Sequence, residues 1–504
     1  MTDSANEKQP KWMNLPGLLI AGLVILILVG GTWVRMRQLG SDPLDVSHSE
    51  QLFFLLTARS FSPGNTQITA GLPTSADYGS ATRDVPLLQG LDAGLSRVFN
   101  LDLIVAARIL SILGWMLSSL LLYLMVRRFT RPVAVLAVLG LVVFMPFSIQ
   151  FSRVVLPGSW ALFFAILSLW MLWRWANSPR WSQAVLSGVF GMVAVLLDVE
   201  VLYILLGGSI AAWFVLKKTK QVEKTVQWLT IVGLLLIPRL IYSLALHPNS
   251  LGLINWLGIN GIGFGLAQIK QLVRLELRLE SIIGVLGIGF AFLGVLLSEK
   301  GTKRSLLLGM WACFAVMAFV FLNEITQSID VLYPVIFLAA VSLVSVFETL
   351  LDRMSENKLP ATGLVLLLGI LVVGAGLGSI DGRRLVKANP EQIPVEFWRS
   401  LGQKLGSDAF FISNTPNVTL PLAYYGNVQP ACIATDGSCL NSLDQRILKL
   451  NATPLYFIAF TSDLAEGSDL SLLLQDHSLR CDAGSGVMII PLTALHPACT
   501  DSGG

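Results

Sequence analysis

Apolar runs recur along the chain at 16–34, 106–126, 132–149, 159–173, 183–197, 201–216, 226–245, 281–297, 305–322, 331–350 and 361–378. Most of them approach the roughly 20 residues that a helix needs to cross a bilayer. A chain that must hide this many apolar stretches has few alternatives to helices packed in a membrane, because lipid cannot satisfy open backbone groups. Composition agrees: 54% of the 504 residues are hydrophobic and 13% are charged, where soluble domains carry roughly 25% charge. The expected fold class is a polytopic α-helical membrane protein of about eleven spans. The first run has no small-residue cleavage site and exceeds the core of a signal peptide, so it reads as a retained span.

The charges between the runs are sorted by side. One set of gaps holds Arg127, Arg128 and Arg131; Arg174 and Arg180; Lys217, Lys218, Lys220 and Lys224; Lys300, Lys303 and Arg304; Arg353 and Lys358. The alternate gaps hold Arg153, the pair Asp198 and Glu200, and Glu324. Positive residues stay on the cytoplasmic side, which predicts a cytoplasmic amino terminus in the plasma membrane. The long polar interval 35–105 and everything after 378 then face outward. The stretch 269–279, apolar residues alternating with Lys270, Arg274 and Arg278, reads as a helix lying on the outer leaflet.

Residues 1–378, with their first outer loop 35–105, form the expected membrane domain, and 379–504 an extracytoplasmic one. In the latter, helix patterns at 395–405, 420–425 and 470–474 alternate with strand patterns at 409–412, 454–460 and 486–491. That order predicts a small α/β domain. It holds Cys432, Cys439, Cys481 and Cys499, an even number in an exported segment, which suggests disulfides. Cys432 with Cys439 and Cys481 with Cys499 is one pairing; connectivity stays open. Cys313 lies in a span. No CxxC pair accompanies His477 and His496, which argues against a zinc site. Asn417-Val418-Thr419 and Asn451-Ala452-Thr453 are glycosylation sequons on the outward side.

Other classes find no support. The chain lacks an internal repeat of the inverted transporter kind and a phosphate-binding glycine loop, nucleophile elbow or HExxH motif. It also lacks a basic patch interleaved with aromatics, so no nucleic-acid partner is expected.

An ordered series of features does point somewhere. It runs from a single span to an outer loop with Glu50-Gln51 ahead of Ala58-Arg59, then Arg83-Asp84-Val85-Pro86-Leu87. Ala107-Arg108-Ile109-Leu110-Ser111 opens the second span, Ser152-Arg153-Val154-Val155-Leu156-Pro157 fills the next outer loop, and Leu332-Tyr333-Pro334 follows later. This series resembles the GT-C superfamily of glycosyltransferases, in the polyprenyl-phosphate-dependent branch of protein O-mannosyltransferases and lipid A aminoarabinose transferases. The resemblance implies a hexosyltransferase-type enzyme acting on the extracytoplasmic side. Its partners would be a polyprenyl-phosphate-linked sugar donor, a protein, lipid or glycan acceptor and membrane lipids, with a divalent metal ion as the one cofactor in view.

By that resemblance Glu50 stands at the family's Asp, or, in an alignment shifted by one residue, Ser49-Glu50 takes the place of the Asp-Glu pair; Glu50 is the expected base, with Asp45 and His48 beside it. The leaving phosphate needs cations, and Arg59, Arg83, Arg153 and Arg239 are the expected phosphate ligands, because a guanidinium fork can hold two phosphate oxygens. Asp198 and Glu200 either mark a short outer turn or line the acceptor side. Three positions depart from the family pattern: Gln51 replaces a Glu, Asp84 a Lys, and Gly158 falls where a second acid is often found. Those departures keep a second expectation open, a non-catalytic subunit of the same fold that serves assembly or binds lipid.

Overall fold

The computed structural model describes residues 17–37, 39–40, 48–61, 86–128, 130–216, 222–246, 285–298, 301–320, 333–356, 393–406, 408–413, 415–433, 454–461 and 481–492. The chain divides into two compact units, Met1–Leu39 with Arg108–Leu385, and Gly40–Ala107 with Val386–Gly504. The long loop after the first span is thus grouped with the C-terminal segment.

The first unit is a helical bundle. Its elements are α1 (Gly17–Met36), α4 (Leu103–Val126, part of this unit from Arg108), α5 (Pro132–Phe144), α6 (Pro146–Phe151), α7 (Gly158–Asn177), α8 (Trp181–Leu197), α9 (Leu202–Leu216), α10 (Val222–Leu246), α11 (Val285–Leu297), α12 (Thr302–Val320) and α13 (Tyr333–Glu356). Among the described residues, five helical stretches are long and apolar enough to cross a membrane, at Gly17–Met36, Leu103–Val126, Gly158–Asn177, Val199–Leu216 and Glu223–Tyr242. The protein is an integral membrane protein. The run expected as one span at 132–149 is two helices. Met145 adopts an extended backbone ahead of Pro146, as a residue before proline is pushed to do, and the ladder restarts with Pro146 in the first turn of α6. The run 361–378 and the surface helix expected at 269–279 lie outside the described residues.

Apolar helices in lipid gain little from hiding apolar surface against one another, so polar contacts and close packing join them. Ser168 on α7 donates to the carbonyl of Ser187 on α8 at 2.7 Å, and Ser187 returns a bond to the carbonyl of Ser168 at 3.1 Å. Trp175 on α7 donates to Gln227 on α10 at 2.7 Å, and Trp311 on α12 to Ser342 on α13 at 3.1 Å. The helix ends sort as the charges do. Arg128 and Arg174, from two gaps of the basic set, both lie over the ring of Trp170. The Arg131 amide and the Lys303 ammonium, from two such gaps, both meet Glu348.

The second unit contains α2 (His48–Ser60), α3 (Leu87–Phe99), α14 (Val395–Leu405), α15 (Pro416–Tyr425) and a five-stranded sheet in the order β2-β1-β3-β5-β4. The strands are β1 (Phe410–Ser413), β2 (Gln429–Ile433), β3 (Leu455–Phe460), β4 (Cys481–Gly484) and β5 (Val487–Pro491). β1 pairs in parallel with β2 and β3, whereas β5 runs antiparallel to β3 and β4. β1 and β3 are parallel and central, and their near-continuous apolar runs are buried, as strands covered on both faces should be. Thr415 caps α15 by accepting from the Asn417 amide. Thr419 of that sequon is fully buried, so the triplet is not presented as an exposed loop. Cys481 is disulfide-bonded; its partner, and the side chains of Cys432, Cys439 and Cys499, lie outside the described residues.

Candidate functional site

In the first unit, polar groups gather at the helix ends opposite the Glu348 side. α1 turns only Val24, Gly31 and Arg35 inward, positions spaced to form one stripe along a helix. A Cβ at Gly31 would lie 2.2 Å from a Val143 methyl, so only glycine lets α1 approach this closely. Arg35 is thereby drawn to full burial. Its Nε donates to Ser152 Oγ at 2.6 Å and its Nη1 to the Gly31 carbonyl at 3.1 Å. Arg153, the next residue along, is close enough to repel it electrostatically. Arg108, also buried, donates to the Leu39 carbonyl at 2.7 Å, which ties the chain leaving α1 to α4.

From Ser152 the cluster continues through aromatic rings. Phe151 stacks on Tyr333 with centroids 4.7 Å apart. The Tyr333 phenol is in electrostatic reach of Asp198 and Glu200, as is that of Tyr203. Asp198 accepts from the Glu200 amide at 2.9 Å and so caps the short 3₁₀ turn Val199–Val201. Both carboxylates are half-buried. They make the turn expected of them, and they also face two buried phenols. Gly158 occupies the same neighbourhood: a Cβ there would lie 2.9 Å from the Phe151 ring and 3.1 Å from the Tyr333 ring. The stacked pair fills the space beside Gly158.

In the second unit, Glu50 sits in the first turn of α2 and is half-buried. A carboxylate there is favoured by the unpaired amides and the dipole of the helix start. Gln51, beside it, is fully buried. Arg59, in the last turn, has a structural assignment. Its guanidinium lies 4.6 Å from the centre of the Tyr424 ring and donates to the Tyr424 carbonyl at 3.1 Å and to Asn427 Oδ1 at 3.5 Å. The fork expected to hold phosphate stitches α2 to the end of α15. Arg97 of α3 donates to the Phe61 carbonyl, just past α2.

Sequence reasoning passed over Arg35 and Asp92. Asp92 lies on the buried face of α3. Only 2% of its surface is exposed, and burial raises its pKa to about 8. Removal from water disfavours the ionised form. In the unfolded chain it titrates near 4, so stability present below that pH is lost as pH rises toward 8. Asp92→Asn removes the penalty. The variant should melt several degrees higher than wild type at pH 8 and no higher near pH 4; equal melting temperatures across that range would refute it.

Of the other expected residues, Arg239 is buried in α10 directly after Pro238, 5.7 Å from the centre of the Tyr242 ring. Arg83, Asp45 and the His48 side chain lie outside the described residues. Among the described residues no three His, Cys, Asp or Glu are placed to hold a metal. Gln51 offers a neutral amide, and Gly158 offers nothing.

Comparison with known proteins follows the same lines. Residues 86–242 match the dolichyl-phosphate-mannose-protein mannosyltransferase family. Comparison with curated proteins gave no match. Among solved structures, ArnT of Cupriavidus metallidurans bound to undecaprenyl phosphate superposes with a TM-score of 0.61 at 14% identity, over 95% of this chain and 99% of that one. The apo oligosaccharyltransferase of Archaeoglobus fulgidus gives 0.57 at 12%, over 90% of this chain and 71% of that one. The mycobacterial arabinofuranosyltransferase AftD gives 0.50 at 12%, over 89% and 37%. These likenesses are of fold over most of the chain's length and of sequence over residues 86–242.

Proposed function

We propose that the protein is a membrane glycosyltransferase that moves a sugar from a polyprenyl-phosphate donor to an acceptor hydroxyl on the extracytoplasmic side of a bundle of about eleven spans. The observation that carries this reading is the end-to-end likeness to an enzyme solved with undecaprenyl phosphate. In the step itself the acceptor oxygen bonds to the anomeric carbon, the bond from that carbon to the phosphate oxygen breaks, and the lipid leaves as a phosphate monoester. The acceptor proton passes to Glu50, the carboxylate in the first turn of α2. Arg153, Arg239 and Arg83 are the proposed counter-charges for the phosphate, while Arg59 positions α2. Asp198 and Glu200, beside the two phenols, are proposed to orient the acceptor. The amino terminus is cytoplasmic and residues 379–504 extracytoplasmic.

The non-catalytic alternative is favoured by Gln51 and Gly158. A transfer assay separates the two readings: purified protein in detergent is supplied with radiolabelled polyprenyl-phosphate sugars and hydroxyl acceptors. Release of polyprenyl phosphate with labelled product is expected. Donor binding with no transfer across a panel of sugars would decide for the lipid-binding subunit.

A further inference from the structure

We infer that Arg35, held by Ser152 and Gly31, is a ligand for a lipid phosphate: a buried cation at the end of the first span for which no described residue supplies an anion. The inference rests on the proposed donor and deepens it.

Arg35 is completely buried, at 0% exposure, on a helix that otherwise turns almost all its surface outward. Burying a guanidinium is expensive unless a carboxylate or a full set of hydrogen bonds compensates it. For Arg35 the compensation is partial. Nε and Nη1 are satisfied by a serine hydroxyl and a carbonyl, both neutral. Nη2 is buried and has no hydrogen-bond partner, and no carboxylate pairs with Arg35 among the described residues. The charge that acts on it is Arg153, which is of the same sign.

The surroundings are built to orient the group. Ser152 is itself fully buried and donates to the Ile149 carbonyl at 3.0 Å, so its remaining lone pair faces the Arg35 Nε. One turn earlier on α6, Ser148 is also fully buried, with a hydroxyl that finds no partner. Gly31 sets the distance of α1 from the helix that carries Val143. A phosphate monoester matches what is left over: an anion with several acceptor oxygens, able to meet Nη2, a serine hydroxyl and a second guanidinium together. A salt bridge would have served stability alone. The uncompensated charge at this depth marks a ligand site instead.

The test uses the full-length protein in detergent, with undecaprenyl phosphate, phosphatidylglycerol and inorganic phosphate as probes. Affinity is read by tryptophan fluorescence and stability by thermal melting. Arg35→Gln should bind undecaprenyl phosphate at least 10-fold more weakly, the loss expected of a charge-assisted contact. It should also lose the ligand-induced rise in melting temperature, while without ligand it melts at or above wild type. Arg35→Lys keeps the charge without the fork and should fall between the two. If the wild type binds and both variants bind equally well, the assignment of Arg35 fails while the donor reading stands. If the wild type binds no undecaprenyl phosphate, both fall together. A variant that melts far below wild type yet keeps the full ligand shift would make Arg35 a structural residue and overturn the inference. Arg35-dependent binding that phosphatidylglycerol displaces as readily as undecaprenyl phosphate would assign the site to a headgroup and overturn the donor assignment. Inorganic phosphate, lacking the lipid tail, should compete only at far higher concentration, and only in the wild type.

Discussion

Glu50→Gln should slow sugar transfer by roughly 10² to 10⁴, the range attributed to a positioned general base, and leave donor affinity nearly unchanged. Glu50 is half-buried in the first turn of α2, so a Gln of equal size keeps the packing and most of the hydrogen bonding. What it loses is the ability to accept a proton. Cations, not Glu50, hold the phosphate in the proposed mechanism, so the loss should fall on kcat with little change in donor affinity. Glu50→Asp is the informative companion, because it restores the residue found at this position in the family that the chain resembles. Activity well above that of the Gln variant would support the register that sets Glu50-Gln51 against the family's Asp-Glu. The measurement is transfer of labelled sugar at saturating donor, alongside equilibrium binding. Full activity in Glu50→Gln would remove this residue from the chemistry.

The fold was readable from the sequence wherever apolar residues formed long enough runs, and opaque where polarity hid an element. Each described apolar run of the first unit became a helix, with Pro146 dividing one of them. In the sheet, β1, β3 and β5 were legible because they are interior strands, rich in Phe, Ile, Val and Tyr. The missed strands, β2 and β4, are the two edges of the sheet. An edge needs no continuous apolar pattern, and it tolerates the Pro430 of β2 and the Asp482 of β4. Helices α2 and α3 were hidden inside a polar interval. Short apolar runs in such an interval do not separate a helix from a strand.

Site residues divide the same way. Glu50, Asp198 and Glu200 stand out as carboxylates in an apolar chain. Arg59 was found, but its partner Tyr424 lies far along the chain, so no local pattern could foretell the stitch. Arg35 was missed for a physical reason: an arginine closing an apolar run ordinarily reaches for the headgroups. Its burial depends on close packing at Gly31, which spacing alone does not reveal.

Gly158→Asp should be strongly damaging, although it restores the type of residue expected at this point of the family pattern. A Cβ at this position would lie 2.9 Å from the Phe151 ring and 3.1 Å from that of Tyr333. Both rings are held in place, stacked on each other, with Phe151 also 5.8 Å from Trp115. Rigid aromatic edges cannot give way as the end of a flexible chain can. Overpacking of this kind typically costs roughly 1–3 kcal/mol. The new carboxylate would also be buried beside Asp198 and Glu200, adding repulsion and desolvation. The combined loss should be roughly 3 kcal/mol or more, seen as a lower melting temperature and little transfer activity. Gly158→Ala isolates the steric part and should lie between the two. Enlarging the space should rescue the Asp variant: Gly158→Asp combined with Phe151→Ala should melt higher than the sum of the single changes predicts, because the clash is shared between these two residues. A Gly158→Asp protein with wild-type stability would show that the aromatic pair yields readily, and that steric exclusion by Phe151 and Tyr333 is not what keeps a glycine at this position.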